Sequence, residues 1–133
     1  MKKRGILNAQ LAGYIAALGH GDTFVIGDAG LPIPAGIPIV DLALCGGVPS
    51  FEQVLTAVLN ETETEYYCLA QEIVTKNERL LEFIQESLPE VEYEMIPHLE
   101  FKEATKNVKF AIRTGEFTPF PNIILRAGVS FPI

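Results

Sequence analysis

The chain has 133 residues, 48% of them hydrophobic and 20% charged, with a formal net charge of −7. That length fits one domain, residues 1–133, with a real core, and the apolar excess points to surface reserved for subunit contacts. The acidic balance argues against nucleic acid or an anionic membrane as partner, because no basic stripe exists to neutralise phosphates.

Lys2-Lys3-Arg4 is the one basic run, but amphipathic spacing with Asn8 and Gln10 follows it instead of the continuous apolar stretch of a signal peptide. No segment approaches the length needed to span a bilayer. Cys45 and Cys68 lack C-x-x-C spacing, so two free thiols in a cytoplasmic protein are expected.

In chain order, Asn8 caps a predicted helix with Leu7, Leu11, Ile15 and Leu18 on one face and Gly19 at its end. Residues 23–28 read as a buried strand ending in the Asp28 carboxylate. A glycine- and proline-containing loop covers 29–38, and a second strand is predicted over 39–44. Pro49-Ser50 opens a helix to about Asn60 with Phe51, Val54, Leu55 and Val58 inward. Strands are predicted at 65–70, 91–96, 108–112 and 123–125. Asn77 caps a helix bearing Leu80, Leu81, Ile84 and Leu88 that Pro89 stops, and a short helix carries His98, Phe101 and Lys102. Alternating strands and helices imply a three-layer α/β/α sandwich around a mainly parallel, mixed sheet of about six strands.

The chain has only two histidines, and each falls at an element end. Imidazole exchanges protons near neutral pH, so His20 and His98 suggest proton transfer on a small polar molecule. Gly19-His20-Gly21-Asp22 also has a plain reading, a helix stop in which His20 meets the last carbonyls. Asp22 is a weak candidate to orient the ring. Asp28-Ala29-Gly30-Leu31-Pro32-Ile33-Pro34 is more specific, a carboxylate held on a stiff loop.

Asp28, His98 and the segment 113–116 all fall just past the carboxyl ends of strands, the usual ligand crevice of an open α/β sheet. His98 and Lys102 share a helix face. Segment 113–122 offers aromatic faces beside carboxyl and amide groups, which suits a sugar; its bland alternative is a surface loop with Arg113 and Glu116 paired. His20 precedes its strand and so belongs at the opposite end, which makes a site shared between subunits the natural solution. No P-loop, dinucleotide fingerprint or convincing zinc set is present.

Several segments in order and at matching spacing resemble the ribose pyranase and fucose mutarotase family. They are Ile6-Leu7-Asn8, Leu18-Gly19-His20, the 28–34 loop, Val48-Pro49-Ser50-Phe51, Ala70-Gln71-Glu72-Ile73, His98, Ile112-Arg113-Thr114-Gly115-Glu116, Asn122-Ile123-Ile124-Leu125 and Ala127-Gly128-Val129. The 28–34 loop looks like the pyranase branch. The resemblance implies a cytoplasmic isomerase of D-ribose that needs neither metal nor cofactor, built as a homodecamer with sites between subunits. It implies His20 as proton donor, and Asp28, His98, Lys102, Phe120, Pro121 and Asn122 as sugar-binding residues. The alternatives are a mutarotase of fucose or another sugar, and a non-catalytic sugar-binding subunit. One departure stands out: the family usually has tyrosine where this chain has Phe120, and a small residue at the position of Pro121.

Overall fold

The structure is a computed structural model and describes residues 1–132. Six strands form one sheet: β1 (Thr23–Gly27), β2 (Ile39–Asp41), β3 (Thr64–Ala70), β4 (Glu92–Ile96), β5 (Ala111–Arg113) and β6 (Ile123–Ala127). Their spatial order is β2-β5-β1-β6-β3-β4. The β2–β5, β5–β1 and β3–β4 pairs are parallel, whereas β6 runs antiparallel to both β1 and β3. Five strands therefore share a direction and β6 alone opposes them, as expected of a mainly parallel, mixed sheet.

Side chains alternate across the sheet, as a pleated strand requires. Phe24, Ile26, Tyr67, Leu69, Ile123 and Leu125 enter one core, shared with Leu11 of α1 (Ala9–Ala16), Phe51 and Leu55 of α2 (Phe51–Leu59), Ile73 of α3 (Ile73–Lys76) and Ile84 of α4 (Glu78–Ser87). Val25, Cys68, Ala70 and Ile124 point to the other face, under Phe101 of α5 (His98–Ala104) and Leu31 of the 28–38 loop. The three layers are thus unequal.

Local signals explain most helix starts. The Asn8 side chain accepts from Leu11 N–H, and Ser50 and Gln53 form a reciprocal capping box at α2. Several expectations need correction. α1 ends at Ala16, and Leu7 is exposed instead of joining the buried face. β2 stops at Asp41, because its carboxylate accepts from Ala43 N–H and turns the chain out of the sheet. β5 starts three residues later than predicted, β6 extends two residues further, and α3 was not foreseen. Asn77 holds the N-cap position of α4 but makes no side-chain cap bond: its amide donates to Thr118 Oγ1 and the Pro119 carbonyl, each at 2.9 Å.

Candidate active site at the carboxyl end of the sheet

Five sequence-selected residues meet where the parallel strands end. Asp28 follows β1 and His98 follows β4. Because β6 is reversed, Phe120 and Asn122, which precede it, come to this same end. Asp28, His98, Lys102, Phe120 and Asn122 line a hollow of about 260 Å³ together with Gly30, Leu31, Pro32 and Pro119. That is at the lower end of small-molecule sites and suits one compact ligand. A second hollow of about 420 Å³, on Glu116, Phe117 and Thr118, shares Asp28, Gly30 and Pro119 with it.

Asp28 is held from three sides. Its N–H donates to Asn122 Oδ1 at 2.7 Å, its Oδ1 accepts from Gly30 N–H at 2.8 Å, and its Oδ2 accepts from Asn122 Nδ2 at 3.2 Å. Asn122 is 1% exposed, so its side of the clamp is buried, while Asp28 itself is half-buried. Gly27 permits it: a Cβ there would lie 2.7 Å from Leu31 Cδ2 and 3.3 Å from Asn122 Oδ1. Asn122 thus positions Asp28 besides lining the hollow.

The loop before β6 is equally fixed. Thr114 Oγ1 donates to the Gly27 carbonyl at 2.8 Å, and Ala29 N–H donates to the Glu116 carbonyl at 3.0 Å. Buried Glu116 accepts from Phe51 N–H at 2.9 Å and from Thr118 Oγ1 at 2.7 Å. Burial pushes this carboxyl upward, but the bonds from Phe51 and Thr118, with the Arg79 charge, carry it below its ordinary value. Gly115 crosses the 45–49 turn so closely that a Cβ would meet the Val48 carbonyl at 2.4 Å. Arg113 pairs with Asp41 at 3.0 Å across β5–β2, so the bland alternative of an Arg113–Glu116 pair is not what forms.

This anchoring holds Phe120 at φ +65°, a costly conformation for an aromatic residue. Its ring stands edge-on to His98, with centroids 5.0 Å apart. Pro121 is buried and does not line the hollow. The His98 N–H is capped by both Glu72 oxygens, at 3.0 and 3.1 Å. Burial, then the Lys102 charge, hold the imidazole below its ordinary pKa against the pull of Glu72 and Asp28. It is therefore neutral at pH 7, with a buried Nδ1 that has no hydrogen-bond partner among the described residues.

His20 lies elsewhere. It lines a separate hollow of about 460 Å³ with Leu18, Glu63, Gly128 and Phe131, at the end where β1 begins and β6 finishes. Five residue steps of about 3.3 Å each put that end roughly 17 Å from Asp28. Its ring contacts Glu65, with Nε2 2.6 Å from Oε1. Asp22 does not orient it: Asp22 Oδ2 accepts from Gly19 N–H at 2.8 Å.

Sequence reasoning missed Glu72 as the cap of α5, although an acid just past a strand's carboxyl end was a usable signal. It also missed Glu65, whose approach to His20 depends on the β3–β6 pairing. The Cys68 thiol is buried and pushed up to about 11 by burial and then by Glu94, unfit as a nucleophile. A larger hollow, about 870 Å³ between Lys2, Arg4 and α2, includes none of the selected residues. Among the described residues no three His, Cys, Asp or Glu side chains converge as a metal site, and no helix is long and apolar enough to cross a membrane.

Comparison with known proteins narrows the reading of this site. The D-ribose pyranase of Geobacillus thermodenitrificans is 52% identical over 131 residues, covering 98% of this chain and 99% of that protein. The D-ribose pyranase of Bacillus cytotoxicus is 50% identical, covering 98% of this chain and all of the relative. The structure of Bacillus subtilis RbsD complexed with D-ribose superposes with a TM-score of 0.95 at 46% identity, covering 98% of this chain and all of that one. A fucose mutarotase from Streptococcus pneumoniae, complexed with L-fucose, shares the fold at a TM-score of 0.75 and 20% identity, covering 94% of this chain and 95% of that one. The model of the RbsD / FucU transport protein family matches residues 1–130, and the chain belongs to that family.

Proposed function

We propose that this chain is a cofactor-independent isomerase that interconverts β-D-ribopyranose and β-D-ribofuranose. The observation that carries this reading is the convergence of Asp28, His98, Lys102, Phe120 and Asn122 on one small hollow, in a chain about half identical to D-ribose pyranases over nearly its whole length. The residues act within one domain, 1–133, in the cytoplasm.

Ring contraction opens one hemiacetal and closes another. In opening, the ring oxygen gains a proton as the C1–O5 bond breaks, and the C1 hydroxyl loses one to give the aldehyde. In closing, the C4 hydroxyl loses its proton as it bonds to C1, and the aldehyde oxygen regains one. Protons balance, and no covalent enzyme intermediate is required. His20 is the acid at the ring oxygen. Asp28, locked by Asn122 and Gly30, accepts from sugar hydroxyls, and neutral His98 and cationic Lys102 hold the others. Phe120 gives the apolar wall for the sugar's C–H face.

His20 lies beyond the start of β1, itself roughly 17 Å along the strand from Asp28, so it serves the hollow of a neighbouring copy in a ring assembly, which we take to be a decamer. General acid–base catalysis contributes about 10²–10⁴-fold. Saturation-transfer NMR on ribose reads the exchange directly. Wild type accelerates it, and His20→Ala loses that acceleration while still binding ribose; equal rates in both would refute the acid assignment.

One observation favours a second reading, a sugar-binding subunit without catalysis: Phe120 has no hydroxyl to relay a proton or bond the sugar. That reading requires ribose binding with no acceleration by the wild type in the same measurement. A substrate panel including fucose separates a sister mutarotase.

A further inference from the structure

We propose that Glu65 is the positioning residue of His20, fixing hydrogen on Nε2 and leaving Nδ1 as the atom that exchanges a proton with the sugar. The inference rests on the reading of His20 as the acid, and it adds which nitrogen acts and what holds it there.

Four observations carry it. First, Nε2 lies 2.6 Å from Glu65 Oε1. The negative charge of the carboxylate at that distance favours hydrogen on the ring nitrogen beside it, Nε2. The contact is ionic as it stands, for Oε1 is buried and has no aligned hydrogen bond among the described residues. A small rotation of the imidazole would turn the contact into that bond. Second, the other carboxylate oxygen is taken: Arg126 Nε lies 3.3 Å from Oε2, and the Arg126 guanidinium sits 4.6 Å over the Tyr66 ring. Arg126 pairs with Tyr66 across β6 and β3, so the carboxylate is tied to the sheet itself.

Third, the backbone that carries His20 is stitched to the same place. Gly21 N–H donates to the Ala127 carbonyl, Ala127 N–H to the Asp22 carbonyl and Gly128 N–H to the Glu63 carbonyl, at 2.8, 2.8 and 2.9 Å. Gly128 gives the Glu65 side chain its room, since a Cβ there would lie 3.2 Å from Glu65 Cβ. Fourth, the His20 side chain remains 55% exposed, so the ring reaches outward while its Nε2 is held. An ion pair this exposed adds little to stability, and orientation is the use that remains for it.

The surrounding charges agree. Glu61 and Glu63 line the same hollow, while Asp22 is engaged by Gly19 N–H and lies 4.0 Å from Lys109. When protonated His20 acts, the Nδ1 proton passes to the sugar's ring oxygen. The imidazole returns to neutral with its remaining hydrogen on Nε2, and Glu65 stays a carboxylate throughout.

The test reads tautomer and kinetics separately. Two-bond ¹H–¹⁵N correlation of histidine-labelled protein reports the ring state, and with two histidines in the chain one His98→Asn variant assigns both. Above the titration of the ring, wild-type His20 is expected as the Nε2–H form, and Glu65→Ala as a mixture. Glu65→Ala is expected to lower kcat for anomer exchange about 10–100-fold, with KM for ribose little changed. Glu65→Gln keeps an acceptor oxygen and restores part of the loss. Arg126→Met, which frees Oε2 only, should give an intermediate loss and supplies the reading if Glu65→Ala does not fold. A wild-type Nδ1–H form, or unchanged tautomer and kcat in the Glu65 and Arg126 variants, overturns the proposal. If His20→Ala keeps full activity, the acid assignment falls instead; the tautomer measurement, made without sugar, tells the two failures apart.

Discussion

The two ends of the sheet differ in how they hold their polar groups. At the carboxyl end Thr114, Glu116 and Asn122 are buried and locked by hydrogen bonds to the end of β1 and to the first residue of α2. At the other end His20 projects from a turn, its ring touching one carboxylate. A binding hollow gains from polar groups that need not reorganise when ligand arrives. A proton donor delivered to a neighbouring copy must instead protrude. The difference suggests that each protomer carries a rigid receptor at one end and a reaching acid at the other.

The sharpest way to break that contrast is to unlock the rigid end. Asn122→Ala removes both bonds to Asp28 and leaves the half-buried Asp28 N–H without its partner. A loss of about 2–3 kcal/mol is expected in urea unfolding, with ribose affinity by calorimetry falling at least about 10-fold. An unchanged affinity would mean that Asp28 needs no clamp.

Glu116 sharpens the same point through pH. Its folded-state value lies below the ordinary 4.5, so its contribution is complete above that value and is lost as pH falls through the lower folded one. Glu116→Gln should cost about 1–2 kcal/mol at pH 7, and its stability should fall less steeply than wild type below pH 4.5. Parallel curves would refute the role given to its bonds with Phe51 and Thr118. Phe120→Tyr is the smallest change: stability within about 0.5 kcal/mol and a few-fold faster anomer exchange. No change in rate would show that the missing hydroxyl is compensated elsewhere.

Much of the fold was legible because its signals are local. Asn8 and Ser50 cap the helices they precede, and the alternation of Phe24, Val25 and Ile26 divides the two cores. The carboxyl-end residues were legible too, since a polar residue just past a strand needs no tertiary knowledge to be placed. The errors came where distant segments compete for one side chain. Asn77 stands at the cap of α4, yet its side chain serves Thr118 and Pro119 instead. Glu65 was invisible because only the β3–β6 register brings it to His20.

The central claim, a hollow completed by a neighbour's imidazole, is tested most directly by co-expressing His20→Ala and Asp28→Asn chains. Each variant alone should lack accelerated ribose exchange in saturation-transfer NMR. Random mixing within a symmetric ring unites an intact Asp28 with an intact His20 in about a quarter of the sites, and activity near a quarter of wild type is the predicted result. Mixed assemblies as inactive as either variant alone would contradict the account.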